Sequence, residues 1–202
     1  MEDVMKKAFT AISCVLLTTL IIAAIPTDAE AGIYEDTIRL HILANSDSDA
    51  DQPMKLEVRD MILEKYADKL RTVDSFEPAK EKAAALLSEI EAATTAFLQE
   101  RGSSFTAKAL LCREWYETRN YEDFSLPCGF YTSLKIIIGS GEGQNWWCVM
   151  YPPLCLGIAT ESASCKDTSI NYSKEELLLI RNSEYNIKFK ALELISALFC
   201  KK

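Results

Sequence analysis

Histidine is nearly absent: His41 is the only one in 202 residues. A histidine-rich metal centre is thereby excluded, and one candidate remains for a Ser-His or Cys-His pair. A basic surplus is missing too. Lys and Arg number 22 against 30 Asp and Glu, a formal charge of -8. That balance argues against nucleic acid as a partner, because no cationic excess exists for a phosphate backbone. There is no C-x-x-C pair, so a zinc site has little to build on. After Ile33 no run is long and apolar enough to span a bilayer. Internal repeats, low-complexity runs and linkers are also lacking. The whole chain, 49% hydrophobic and 26% charged, has ordinary globular composition, and the part after the first residues is long enough to bury a core.

The first residues have a texture of their own. Lys6 and Lys7 precede the uncharged run Ala8 to Ile25, then Pro26 and the small-residue pattern Ala29-Glu30-Ala31. This is the charged start, apolar centre and A-x-A exit of a secretory signal peptide. Residues 1–31 are therefore expected to be a leader cleaved after Ala31, or an uncleaved N-terminal membrane anchor. Either places residues 32–202 outside the cytoplasm. Beyond Cys14 the chain holds Cys112, Cys128, Cys148, Cys155, Cys165 and Cys200. Sequence alone does not fix their pairing. Cys148 with Cys155 is favoured, because Pro152-Pro153 bends the short connection between them. The other reading is small buried hydrophobes.

Ile38 to Leu43 alternates and predicts a strand with Ile38, Leu40 and Ile42 on one face, Arg39 and His41 on the other. A helix follows from about Asp51 to Arg71, with Met54, Val58, Ile62, Tyr66 and Leu70 along one stripe. Pro78 opens a second, and Gly102 stands at its glycine stop. Thr106 to Thr118, Phe130 to Ile138 and Trp146 to Tyr151 read as a three-stranded meander. Lys174 to Arg181 predicts a helix, Tyr185 to Lys190 a last strand and Ala191 to Cys200 a terminal helix. The expected fold is one α+β domain. It has a mainly antiparallel sheet of about four or five strands, with the two long helices packed on one face.

Asp47, Asp49 and Asp51 resemble the opening of a calcium loop, but the sixth and twelfth positions hold Gln52 and Val58 instead of Gly and Glu. A solvated turn that caps the next helix is the better reading, with an irregular cation site as the other. Gly139-Ser-Gly-Glu-Gly143 lacks the G-K-[ST] of a phosphate loop and reads as a tight hairpin connection. No nucleophile sits in a recognisable signature with His41. Arg39 and His41 beside the Asn45-Ser46 turn instead form a polar cluster suited to binding a partner or fixing the turn. Trp146 and Trp147 are adjacent, so a strand sends them to opposite faces. One outward Trp next to Pro152 and Pro153 is the kind of anchor that dominates interfaces, and burial of both tryptophans in the core is the other reading, which the usual burial of Trp favours slightly. The candidate partner-binding set is Arg39, His41, Asn45, Trp146, Trp147, Pro152 and Pro153. No catalytic set, metal or cofactor is called for.

Three blocks carry a likeness to a known family: IRLHILANSDSDADQPMKLEVRD (38–60), YETRNYEDFSLPCGFYTSLKIIIGSGEGQNWWCVMYPPLC (116–155) and, more loosely, IKFKALELI (187–195). Together they resemble the stage II sporulation protein R family of endospore-forming bacteria. Cys128 stands where that family has a small residue such as alanine, so no disulfide map is carried over. The resemblance implies a signal and not an enzyme. Such a protein is made in the forespore and exported into the space between the forespore and mother-cell membranes. There it activates a membrane-embedded aspartic protease of the mother cell, which removes the pro-sequence of a sigma factor. The competing expectation is an exported hydrolase of cell-wall or peptide substrates, working through His41 or the acidic turn.

Overall fold

The computed structural model describes residues 2–73, 75–121, 124–152, 172–181 and 192–193. Helix α1 (Glu2–Ala24) is solvent-exposed along its described side chains. Among the described residues no helix is long and apolar enough to cross a membrane. Helix α2 (Asp28–Glu35) starts at a capping box, in which the Thr27 hydroxyl accepts from the Glu30 amide and the Glu30 carboxylate accepts from the Thr27 amide. Glu30 and Ile33 are buried. The processing point expected after Ala31 thus falls inside a helix that packs against the rest of the chain.

Strand β1 (Ile38–Leu43) leads into the long helices α3 (Asp51–Arg71) and α4 (Phe76–Glu100). The four-residue stripe of α3 is buried at Val58, Ile62, Tyr66 and Leu70, as its spacing predicts. Just before α3 the Ser48 hydroxyl accepts from the amide of Asp51, the first residue of the helix. Helix α4 ends as its glycine foretells. Gly102 has φ +78°, its amide donates to the Gln99 carbonyl, and the Ser103 amide donates to the Leu98 carbonyl. Those two bonds are a Schellman stop. The chain continues through β2 (Ala107–Tyr116), the short ladder of β3 (Arg119–Asn120) with β4 (Ser125–Leu126), β5 (Gly129–Ile138), β6 (Asn145–Tyr151) and α5 (Lys174–Arg181). The last strand and terminal helix expected beyond Arg181 lie outside the described residues, apart from 192–193.

The sheet order is β2-β5-β1-β6, and this corrects the meander expected from sequence. Strand β1 inserts between β5 and β6. It runs parallel to β5 and antiparallel to β6, while β2 and β5 are antiparallel, so the sheet is mixed. A parallel neighbour needs a crossover of a dozen residues or more. The α3–α4 pair provides it, leaving one edge of β1 and returning through β2. Central position explains why β1 is buried on both faces, including the charged Arg39.

Register sorts the side chains. Ile38, Leu40, Ile42, Leu134, Ile136 and Cys148 share the face covered by α3 and α4. Trp146 belongs there too, beneath the Arg59 guanidinium of α3 at 5.2 Å. Both long helices therefore do pack on one face. Arg39, His41, Tyr131, Ser133, Lys135, Glu114, Tyr116 and Trp147 occupy the other. Over that second face α2 and α5 cover only one end. Tyr34 of α2 packs edge-to-face on Tyr131 at 5.1 Å and donates to the Cys128 carbonyl, and the Thr37 hydroxyl meets that of Tyr172 at 2.7 Å. Among the described residues nothing covers the His41 end.

Candidate functional site: a polar cleft on the open sheet face

At the uncovered end lies a cleft of about 490 Å³, lined by His41, Glu114, Tyr116, Lys135, Asn145 and Trp147 and rimmed by the 139–143 loop. Its residues come from all four strands. Parity puts Glu114 and Tyr116 of β2, Lys135 of β5, His41 of β1 and Trp147 of β6 on one face. Glu114 is the hub. One carboxylate oxygen accepts from Lys135 Nζ at 2.5 Å, and the other lies 3.0 Å from His41 Nδ1. His41 Nε2 lies 2.9 Å from the side-chain amide of Asn145. Burial would raise the Glu114 carboxyl, but the hydrogen bonds from His41 and Lys135 outweigh it and hold the group at about 2. Both ring nitrogens of His41 are thus occupied, and the ring is only 7% exposed.

The aromatic wall is built around this network. The Trp147 ring lies 5.6 Å from that of His41, and the Arg119 guanidinium sits 4.2 Å above Trp147. Tyr116 stands 6.3 Å from His41 and donates to, or accepts from, the Ser133 hydroxyl at 2.8 Å. Such stacked cation–ring pairs hold a half-buried tryptophan in one orientation.

Of the residues singled out from sequence, His41 and Trp147 meet in the cleft. The others do not. Arg39 is fully buried behind it, with its guanidinium 4.2 Å from the Tyr116 ring and 5.1 Å from that of Tyr131. Its Nη2 donates to the Tyr121 hydroxyl, while among the described residues Nε and Nη1 have no hydrogen-bond partner. Asn45 pins a loop: its Oδ1 accepts from the Ser140 amide and its Nδ2 donates to Asp51. Trp146 faces the helices, and Pro152 is buried. Pro153 and Cys155 lie outside the described residues. Cys148 is buried, and the free thiols among the described residues are Cys14, Cys112 and Cys128.

Sequence reasoning missed Glu114, Lys135, Tyr116 and Arg119. The available signal was parity: Glu114 and Lys135 are charged residues inside otherwise apolar β runs, a pattern that asks for partners on the same face. The glycine loop also differs from expectation. It is no hairpin, because β5 and β6 flank β1, and the loop instead crosses the end of β1. The Glu142 amide donates to the Asn45 carbonyl and the Gly143 amide to that of Ala44, so these amides are committed to the fold and not to an anion. The acidic turn is committed likewise. Asp51 accepts from Asn45 and Ser46, which holds its carboxyl below the usual range, and Asp47 accepts from the Gln144 amide. Among the described residues no group of three His, Cys, Asp or Glu is placed to hold a metal ion.

The fold and cleft define a small α+β protein with a mixed four-stranded sheet, its two long helices on one face, and on the other two short helices over one end and a polar aromatic cleft at the other. The sequence profile of the Stage II sporulation protein R family matches residues 34–161, which include every residue of the cleft. The chain is also 35% identical over 123 residues to the Stage II sporulation protein R of Bacillus subtilis (strain 168), covering 61% of this chain and 55% of that protein. No solved structure matches. The chain belongs to the stage II sporulation protein R family.

Proposed function

We propose that this protein is an exported intercellular signal of endospore formation. It acts in the space between the forespore and mother-cell membranes by activating a membrane-embedded aspartic protease, which then processes the mother-cell pro-sigma factor. The observation that carries the reading is the cleft around Trp147, a concave aromatic surface in which the part-buried Glu114 carboxylate is paired with Lys135 and His41. Such a surface can bury an apolar anchor from a partner without breaking the Glu114–Lys135 pair. A ligand shifts a protease toward its active form only by preferring that form, and about 3 kcal/mol of preference moves the equilibrium roughly a hundredfold. Residues 1–31 serve as the export leader or anchor. A Cys148–Cys155 bridge stiffens the chain after β6 and lowers the ordering cost of binding.

A hydrolase has less support. His41 lacks a free nitrogen to act as a base, and among the described residues no serine or cysteine side chain bonds to it. The Cys112 thiol is pushed up by burial and by nearby Glu114, the opposite of an activated nucleophile. The test adds purified protein to the outer face of membranes carrying the protease and follows pro-sigma cleavage. Both the full chain and residues 27–202, which keep the Thr27–Glu30 capping box, should be used. Cleavage that depends on the added protein supports the reading. Its absence with both forms, the protease being shown competent, overturns it.

A further inference from the structure

Strand β2 is an edge strand, and its two ends are treated differently. The Gly139 amide donates to the Thr106 carbonyl, which sets the phase of the β2–β5 ladder. Odd-numbered residues of β2 therefore turn their amides and carbonyls away from β5. At the first of these, α4 closes the edge. Thr95 accepts from the Ala107 amide and Glu91 from the Ala109 amide, each at 3.0 Å. Among the described residues no such cover exists at Leu111, Arg113 and Trp115, and their outward backbone groups make no hydrogen bond. Trp115 adds a buried indole N–H without a partner. Leu111 and Trp115 are half-buried, Arg113 is exposed, and Phe130, packed on Trp115 at 5.2 Å, is 49% exposed.

We propose that the Leu111–Trp115 edge is a second interaction surface, which takes an extended segment of a partner protein carrying an acidic residue opposite Arg113. An added strand would exchange about six ladder hydrogen bonds with these three residues. Its side chain opposite Arg113 lies on the same face as that guanidinium, where a carboxylate is favoured and an ammonium disfavoured. A second copy of this chain fits less well. Two-fold pairing centred on Arg113 sets like charges opposite each other, and each copy carries -8. This surface adjoins the cleft, which Trp115 also lines, but it uses the outward backbone of the strand and does not rest on the protease reading.

The experiment follows backbone amide shifts of the isotope-labelled full chain. The probes are nine-residue peptides of alternating threonine and valine with aspartate, serine or lysine at the centre. The expected result is saturable shifts confined to 111–116, with the aspartate peptide roughly fivefold tighter than the lysine peptide. Arg113→Glu should reverse that preference. Arg113→Pro should abolish binding while leaving the fold intact, because the lost N–H points outward and proline is tolerated on an edge. Three results would overturn the proposal. These are no saturable shift with any peptide, no dependence on the central charge, and concentration-dependent self-association that Arg113→Glu removes.

Discussion

Replacing Glu114 with glutamine probes the hub of the cleft. The carboxylate accepts from Lys135 and His41 at once. Glutamine keeps one acceptor oxygen, loses the negative charge and leaves a part-buried ammonium beside an amide. Hydrogen bonds to charged groups are worth about 1.5–3 kcal/mol each. One such bond is forfeited, and partial exposure screens the rest, so the expected loss at pH 7 is about 2 kcal/mol. The pH dependence is the sharper part. Glu114 titrates at about 2 in the folded protein against an ordinary 4.5, so it adds stability above about 4.5 that drains away as pH falls toward 2. Below that window a protonated glutamic acid and a glutamine are near equivalents. Urea unfolding of both proteins between pH 7 and pH 2.5 should show the gap closing across that range. A gap under about 0.5 kcal/mol at pH 7, or one that does not change with pH, refutes the hub role.

Two further substitutions read other parts of the fold. Arg39→Met should stay within about 1 kcal/mol of the parent, because an apolar chain of similar length removes the cost of two unpartnered buried nitrogens, whereas Arg39→Ala should cost about 3 kcal/mol through the cavity it opens; denaturant midpoints separate the two. Gly139→Ala should destabilise by about 1–2 kcal/mol and shift the Asn45 and Ser140 amide resonances, since φ is +58° there and a Cβ would strike the Asn45 side chain.

Much of the secondary structure was readable locally, and the topology was not. The four-residue stripe of α3 and the glycine stop of α4 are short-range signals, and both appear where the spacing put them. The alternation of β1 correctly set Arg39 and His41 apart from Ile38, Leu40 and Ile42. Nothing in that strand announces its neighbours, however. Placing β1 between β5 and β6 depends on how far the α3–α4 crossover reaches, which is a long-range packing outcome. The misplacement of the glycine loop follows from the same cause. Arg39 shows a second limit. Alternation gave its face, but only the rings of Tyr116, Tyr131 and Tyr121, from distant segments, turn that polar position into a sealed interior. The cleft was half legible. His41 and Trp147 stand out by rarity and size, while nothing near Glu114 or Lys135 in the sequence names its partner, which only the pairing of β2 with β5 supplies.

The central claim, that the Trp147 cleft is where the protease is engaged, is most directly tested by measuring pro-sigma cleavage with Trp147→Ala and Trp146→Ala in parallel. Both variants must first be shown to be folded. A buried interface tryptophan is worth at least about 2 kcal/mol, so Trp147→Ala should weaken activation by more than about tenfold. Trp146→Ala, which alters only the helix-covered face beneath Arg59, should lower stability and leave activation by the folded protein unchanged. Full activation by folded Trp147→Ala would contradict the account.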